Sequence, residues 1–232
     1  MNALRILGID TSGTVAAAAL YDSDADLLLG QQLVYTKRTH SQVILPLVER
    51  VLEDTGLTLS DVDRFAVAVG PGSYTGLRIG IAAVKAMAFA LGKSCCGIST
   101  LKALAFQAHA SGESTICSVM KARQGLSYAG IYRFSGEKCA VLMQEQLLRN
   151  EELLEQLQKI DSTVLMTGDG AAAFSEEHSS LDVSLAPAMV RLQNGCGLCR
   201  AAVSCEGIAP EQLEAEYLQL VKAEKDRLDK MA

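Results

Sequence analysis

The feature that most constrains this chain is that its second half repeats the element order of its first. Residues 4–9 are apolar, 10–14 are turn formers (Asp-Thr-Ser-Gly-Thr), and 15–21 are apolar again, which reads as strand, turn, strand. A turn at 22–26 leads to a third strand at 27–35, giving an antiparallel meander. From Ser41 the apolar period becomes helical. Val43, Leu47 and Val51 fall on one row, Ile44, Val48 and Leu52 on the next, and Gly56 stops the helix. A buried strand at 65–69, an Ala-rich helix at 77–91, a strand at 95–98 and a helix at 101–109 follow. Strands at 115–120, 126–134 and 139–146, a helix at 151–158 and a strand at 163–167 then restate the pattern. Two such copies predict an internally duplicated α/β protein with an N-terminal lobe over 1–110 and a C-terminal lobe over 111–232. No linker-like stretch separates them, so the lobes pack directly. A helix around 189–203, a short acidic helix from Pro210 and a charged tail from Lys222 complete the reading.

Composition narrows the function classes. With 232 residues, 49% of them hydrophobic, the chain can bury a sizeable core without covalent staples. Its formal net charge of −6 makes it a poor stand-alone ligand for nucleic acid, whose phosphates demand Lys and Arg, so any service to RNA goes through a partner. The absence of Trp and 5% aromatic content argue against a base-stacking surface. Seven cysteines follow no disulfide framework, the first ten residues read as a strand rather than a signal peptide, and no apolar run reaches the ~18 residues of a membrane span. The chain therefore reads as cytoplasmic, with reduced thiols and no membrane association.

Two segments can carry chemistry. Asp10-Thr11-Ser12 places an acid at the end of a buried strand, before small hydroxyl residues in a tight turn. Such a turn can hold a phosphate or a hydrated metal, or it can be an Asx turn closing a hairpin. Gly-Pro-Gly-Ser-Tyr-Thr-Gly-Leu-Arg-Ile-Gly at 70–80 lies between a strand and a helix, where backbone amides can face an anion. It matches neither a Walker loop nor a dinucleotide fingerprint, and by itself it reads as glycines serving close packing more than as a phosphate site. Cys196-Gly197-Leu198-Cys199 has metal-like spacing but lacks the second pair that zinc needs, so it reads as small core filling. His40, His109 and His178 are too far apart in sequence to form a local metal pair. No catalytic and no metal-binding residue is assigned.

Ile-Asp-Thr-Ser at 9–12, His-Ser-Gln at 40–42 and the long Gly-Pro-Gly segment at 70–80, in that order, resemble the bacterial TsaB family. The likeness is strongest over residues 4–100 and includes Gly168-Asp169-Gly170. It implies the duplicated actin-like, Hsp70-like (ribonuclease H-like) two-lobed fold, in agreement with the repeat. It also implies a non-catalytic scaffold in the making of threonylcarbamoyladenosine on tRNA. The implied partners are the catalytic paralogue TsaD, the ATPase TsaE, a second copy of the chain when alone, and tRNA only through the complex. No intrinsic cofactor is implied, ATP or ADP being bound weakly or at the partner interface. Residues facing such a nucleotide would be Asp10, Thr11, Ser12, Gly70, Gly72, Ser73, Thr75 and Arg78. The helices after His-Ser-Gln and after the Gly-Pro-Gly loop would form the interface, through His40, Gln42, Val43, Leu45, Leu47, Ala83, Ala86 and Met87.

Several positions depart from the active relatives. Thr100 and Leu104 fall where the paralogue carries its metal-binding histidines. In the second hairpin the turn is Lys121-Ala122-Arg123-Gln124-Gly125, with Lys121 where working ATPases of this fold have an acid. Glu216-Tyr217-Leu218-Gln219 resembles a family segment that usually ends in Arg. The alternatives are an independent ATP-dependent small-molecule kinase of the same fold and a plain homodimeric interaction protein.

Overall fold

Each half of the chain builds one five-stranded sheet. β1 (Arg5–Asp10), β2 (Val15–Asp22), β3 (Leu27–Tyr35), β4 (Arg64–Gly70) and β5 (Ser94–Ser99) join in the order β3-β2-β1-β4-β5. β6 (Glu113–Lys121), β7 (Leu126–Ser135), β8 (Lys138–Arg149), β9 (Val164–Thr167) and β10 (Val183–Leu185) join in the matching order β8-β7-β6-β9-β10. In both sheets the meander is antiparallel and the remaining strands pair in parallel. The sequence repeat is thus a structural repeat, and the protein has the duplicated, two-lobed actin-like fold. The structure, a computed structural model, describes residues 4–36, 39–123 and 125–218; Gln219 and the charged tail lie outside them.

Helices separate the sheets into layers. α1 (His40–Thr55) and α2 (Tyr74–Leu91) cover the outer face of the first sheet, and α4 (Asn150–Leu157) and α5 (Ala171–Glu177) that of the second. Between the sheets lie α3 (Thr100–Ala108), the short α6 (Ala188–Arg191) and α7 (Gly195–Ala202). The central strands are buried on both faces, which is why they read as near-continuous apolar runs. In β1, Leu7 and Ile9 join the outer core while Ile6 joins the central one. In β6, Cys117 and Val119 point outward, and Ile116 and Met120 point to the centre.

The structure corrects the sequence reading at several points. The helix expected from residue 77 begins at Tyr74, because the Ser73 hydroxyl accepts the Gly76 N–H at 3.3 Å and caps it. At 18 residues, α2 is long and apolar enough to cross a membrane by length and composition, against the expectation that no stretch is. Its inner face, including Leu77, Ile81 and Val84, is packed on the first sheet. The single helix expected at 189–203 is split, since Asn194 accepts the Gly197 N–H at 3.2 Å and starts α7 anew. Finally, α5 and β10 complete the second copy, and the acidic segment from Pro210 is only a 3-10 turn.

The last described stretch returns to the first lobe. Gly8 and Gly195 let α7 lie flat on the first sheet: a Cβ at Gly8 would stand 2.6 Å from Cys199 Sγ, and one at Gly195 only 2.4 Å from Ala19 Cβ. Ile208 exchanges both backbone hydrogen bonds with Cys95, and the Glu216 N–H donates to the Val69 carbonyl at 2.8 Å.

Candidate functional site

The first hairpin turn and the Gly-rich loop are brought together as one unit. Asp10 ends β1 and is 1% exposed. Its Oδ1 accepts the Ser12 N–H at 2.8 Å and the Ser12 hydroxyl at 2.6 Å, forming an Asx turn. The Thr11 hydroxyl donates to the Gly76 carbonyl at 2.7 Å, and the Ser73 N–H donates to the Ser12 carbonyl at 2.7 Å. Glycine is needed where these backbones meet. A Cβ at Gly72 would fall 2.5 Å from the Ser12 carbonyl oxygen, and one at Gly76 only 2.1 Å from that of Thr11. The loop's glycines therefore serve close packing against the turn.

The Asx turn leaves one atom unexplained. Asp10 Oδ2 is buried with no hydrogen-bond partner. Burial pushes the carboxyl pKa up, while the two Ser12 bonds and the charge of His40 pull it down. A carboxylate with a raised native pKa favours the fold while protonated; that stability is lost as pH rises from the ordinary value of 3.8 through the native value. Asp10→Asn is accordingly expected to raise stability by about 1 kcal/mol at pH 7, with the gain shrinking toward acid pH. Urea unfolding of both proteins between about pH 4 and pH 8 reads this, and a variant less stable than the parent at neutral pH contradicts it.

The other residues expected at a nucleotide divide. Gly70, with φ of 137°, approaches the segment around Glu216, where a Cβ would stand 2.1 Å from the Glu216 carbonyl oxygen. Thr75 is exposed beside a hollow of about 290 Å³ shared with Thr14 and His40. Arg78 is turned away from the turn, its Nη1 donating to the Tyr74 hydroxyl at 2.6 Å. Tyr74 in turn stacks on Tyr217 at 5.3 Å between ring centroids. Sequence reasoning missed that platform, because it joins residues far apart in the sequence.

A cleft of about 470 Å³ opens between the lobes, with Thr14 and Tyr35 on one side and Lys121, Asp169 and Arg191 on the other. Lys121 ends β6 and is exposed; its N–H donates to Asp169 Oδ1 at 2.9 Å. Met120, the residue before it, is buried in the central core. Neither supplies a second strand-end acid to match Asp10. Gln193, which no sequence pattern singles out, wedges between the two hairpin turns. A Cβ at Gly13 would stand 2.6 Å from Gln193 Nε2, and the same nitrogen lies 3.9 Å from Met120 Sδ.

The remaining candidates have structural roles. Thr100 and Leu104 are buried in α3. His109 stacks on Phe134 at 4.3 Å and His178 on Phe174 at 4.4 Å. Cys199 Sγ donates to the Ile6 and Ala19 carbonyls at 3.6 Å each, and burial raises the pKa of both Cys196 and Cys199, as expected of core filling. No group of three or more His, Cys, Asp or Glu able to hold a metal occurs among the described residues.

The outer face of α1 and α2 carries most of the expected interface. Gln42, Leu45 and Ala86 are exposed, and Val43, Leu47 and Ala83 are half-buried. Met87 is a correction: it turns inward and joins the outer core beside Val84, because it falls on the buried row of the helix. The more exposed of that helix's two exposed aromatics is Phe89, at 70%, against 44% for Tyr74. His40 is half-buried, with Nδ1 3.1 Å from the Thr11 carbonyl oxygen, so its ring is engaged within the chain.

Comparison with known proteins places this geometry. The family described as "TsaD: tRNA N6-adenosine threonylcarbamoyltransferase" matches residues 34–224. The tRNA threonylcarbamoyladenosine biosynthesis protein TsaB of Bacillus subtilis is 32% identical over 166 residues, 71% of each chain. This chain belongs to the TsaB family. The Escherichia coli TsaB protein is 28% identical over 227 residues, covering 93% of this chain and 95% of its own. A Pseudomonas aeruginosa crystal structure, described as an uncharacterized protein with similarity to peptidase YEAZ, superposes with a TM-score of 0.78 at 26% identity, covering 94% of this chain and all of that one. The protein is thus a member of a family that acts in tRNA threonylcarbamoyladenosine biosynthesis, as its motifs imply. For a TsaB-family chain, the packed Gly-Pro-Gly loop and the open α1–α2 face are the features that need a functional account.

Proposed function

We propose that this chain is the non-catalytic scaffold subunit of a tRNA threonylcarbamoyl transfer complex. In this reading it pairs with TsaD and TsaE, and the complex moves threonylcarbamoyl from its adenylate to N6 of the adenosine following the anticodon. The observation that carries the proposal is that the first strand of only one lobe ends in an acid. Asp10 has no counterpart at the end of β6, where Met120 and Lys121 stand, so the two-carboxylate arrangement of a working ATPase of this fold is incomplete. Family membership supports the pathway, and the exposed Leu45, Ala86 and Phe89 support the pairing surface. The chain associates with itself when the paralogue is absent, and it meets tRNA only through the complex, in keeping with its charge of −6. It needs no cofactor of its own; ATP or ADP binds weakly or at the shared interface.

The test is threonylcarbamoyl transfer to unmodified tRNA by purified TsaD, TsaE and preformed adenylate, with and without this chain. Transfer that appears only on its addition, with the chain inert alone, is the expected result. Equal transfer without it overturns the scaffold role. The rival reading, an independent small-molecule kinase, has the buried, unpartnered Asp10 Oδ2 in its favour. ATP turnover by the isolated chain would revive it.

A further inference from the structure

The pairing surface leaves the cleft between the lobes without a role. Its volume of about 470 Å³ lies within the range of small-molecule sites, and a hairpin turn from each lobe borders it. Thr14 closes the first turn and Lys121 opens the second; Asp169 and Arg191 line the cavity beside Lys121. Tyr35, 69% exposed, lines it together with Leu192 and Ala188, which gives the cavity an apolar share.

The charges of the cleft are out of balance. Two cations and one carboxylate line it, in a chain whose formal net charge is −6. The carboxylate does not neutralise the cations. Asp169 Oδ1 accepts the backbone N–H of Lys121 at 2.9 Å, and neither Lys121 nor Arg191 has an ion pair among the described residues. Arg191 is held at both its side chain and its backbone. Its Nε–H donates to the Ala186 carbonyl at 2.9 Å, and its own carbonyl accepts the Gly168 N–H at 2.8 Å. The first bond fixes the plane of the guanidinium and leaves both Nη groups without a partner among the described residues. An unfilled guanidinium fork beside a second unpaired cation suits a tetrahedral dianion: the fork supplies two parallel donors, and the ammonium supplies a point charge.

We propose that this cleft binds a small phosphate monoester without a metal ion, with the phosphoryl group between Lys121 and Arg191 and a planar apolar body against Tyr35. A magnesium ion would need carboxylates around it, and the end of β6 offers Lys121 instead. That side chain supplies the countercharge itself, so the ligand needs no metal to bring it in. The site is separate from the Gly-Pro-Gly loop, whose Ser73 and Gly76 are taken up by the first turn. It also stands apart from the scaffold reading, since the isolated chain carries every residue named.

The experiment titrates the isolated full-length chain, isotopically labelled, with phenyl phosphate in the presence of a chelator, and follows the backbone amide signals by NMR. The signals of Lys121, Gly168 and Asp169 should move as the probe saturates. Movement confined to Thr75 and Arg78, or none at millimolar probe, overturns the proposal. Lys121→Glu should weaken the probe at least about tenfold, the worth of one charged hydrogen bond. Its side chain is exposed and its bond to Asp169 uses the backbone, so the variant keeps the fold. Arg133→Ala removes an exposed cation outside the cleft and should leave the affinity unchanged. Equal effects of the two substitutions, or none from Lys121→Glu, overturn the site. Phenol carries the ring without the charge and should bind far more weakly; equal affinity for phenol overturns the phosphoryl assignment. Tighter binding when magnesium replaces the chelator shows a metal-held ligand and overturns it as well.

Discussion

Gly76→Ala is expected to destabilise the fold by about 3 kcal/mol, which for a chain of this size lowers Tm by roughly 6–12 °C. The added Cβ would stand 2.1 Å from the Thr11 carbonyl oxygen, a backbone atom that cannot swing aside as a side chain can. Moving α2 away from the turn would stretch the Thr11–Gly76 hydrogen bond of 2.7 Å and the Ser73–Ser12 bond of 2.7 Å together. Both lie where the turn is buried, so the freed groups would find no water to replace their partners. Gly92→Ala is the informative contrast. Gly92 ends α2 with φ of 61° and has nothing within 4 Å of its Cβ position, so only backbone strain of about 1 kcal/mol applies. Thermal unfolding of the two variants side by side checks the difference. Equal losses would mean that the loop and turn are not packed as described.

That pair of glycines also shows what the sequence could and could not reveal. The element order was legible because both copies alternate apolar runs with turn chemistry, and strand burial on two faces leaves unbroken apolar segments such as 65–69. The Gly-Pro-Gly loop was legible as a special backbone, but its role was not. Packing against Ser12 and Thr11 depends on contacts 60 or more positions apart, which no local pattern encodes. The same limit hid Gln193 between the hairpin turns and Tyr217 on Tyr74. Met87 was misplaced for a different reason. An Ala-rich helix offers little contrast between its faces, so its inner row becomes clear only against the sheet.

Ala86→Glu is expected to weaken both self-association and binding to a TsaD partner about 100-fold while leaving the chain folded. In the isolated chain Ala86 is exposed beside Phe89, in a groove of about 630 Å³, so a carboxylate there stays in water and costs the monomer little. Covered by a partner, the same charge loses its hydration, a penalty of roughly 2–5 kcal/mol. Self-association should suffer most if the face pairs with its own copy about a two-fold axis, because the two new charges then approach each other. Ala83 is a poorer probe, since it is half-buried against the outer core and a charge there also loosens α2. Lys121→Ala, in the cleft between the lobes, should leave both associations unchanged. Sedimentation of the chain alone and titration with TsaD distinguish these outcomes. A folded Ala86→Glu variant that keeps the parent's affinity for both partners would remove α2 from the interface, and with it the pairing surface on which the scaffold role depends.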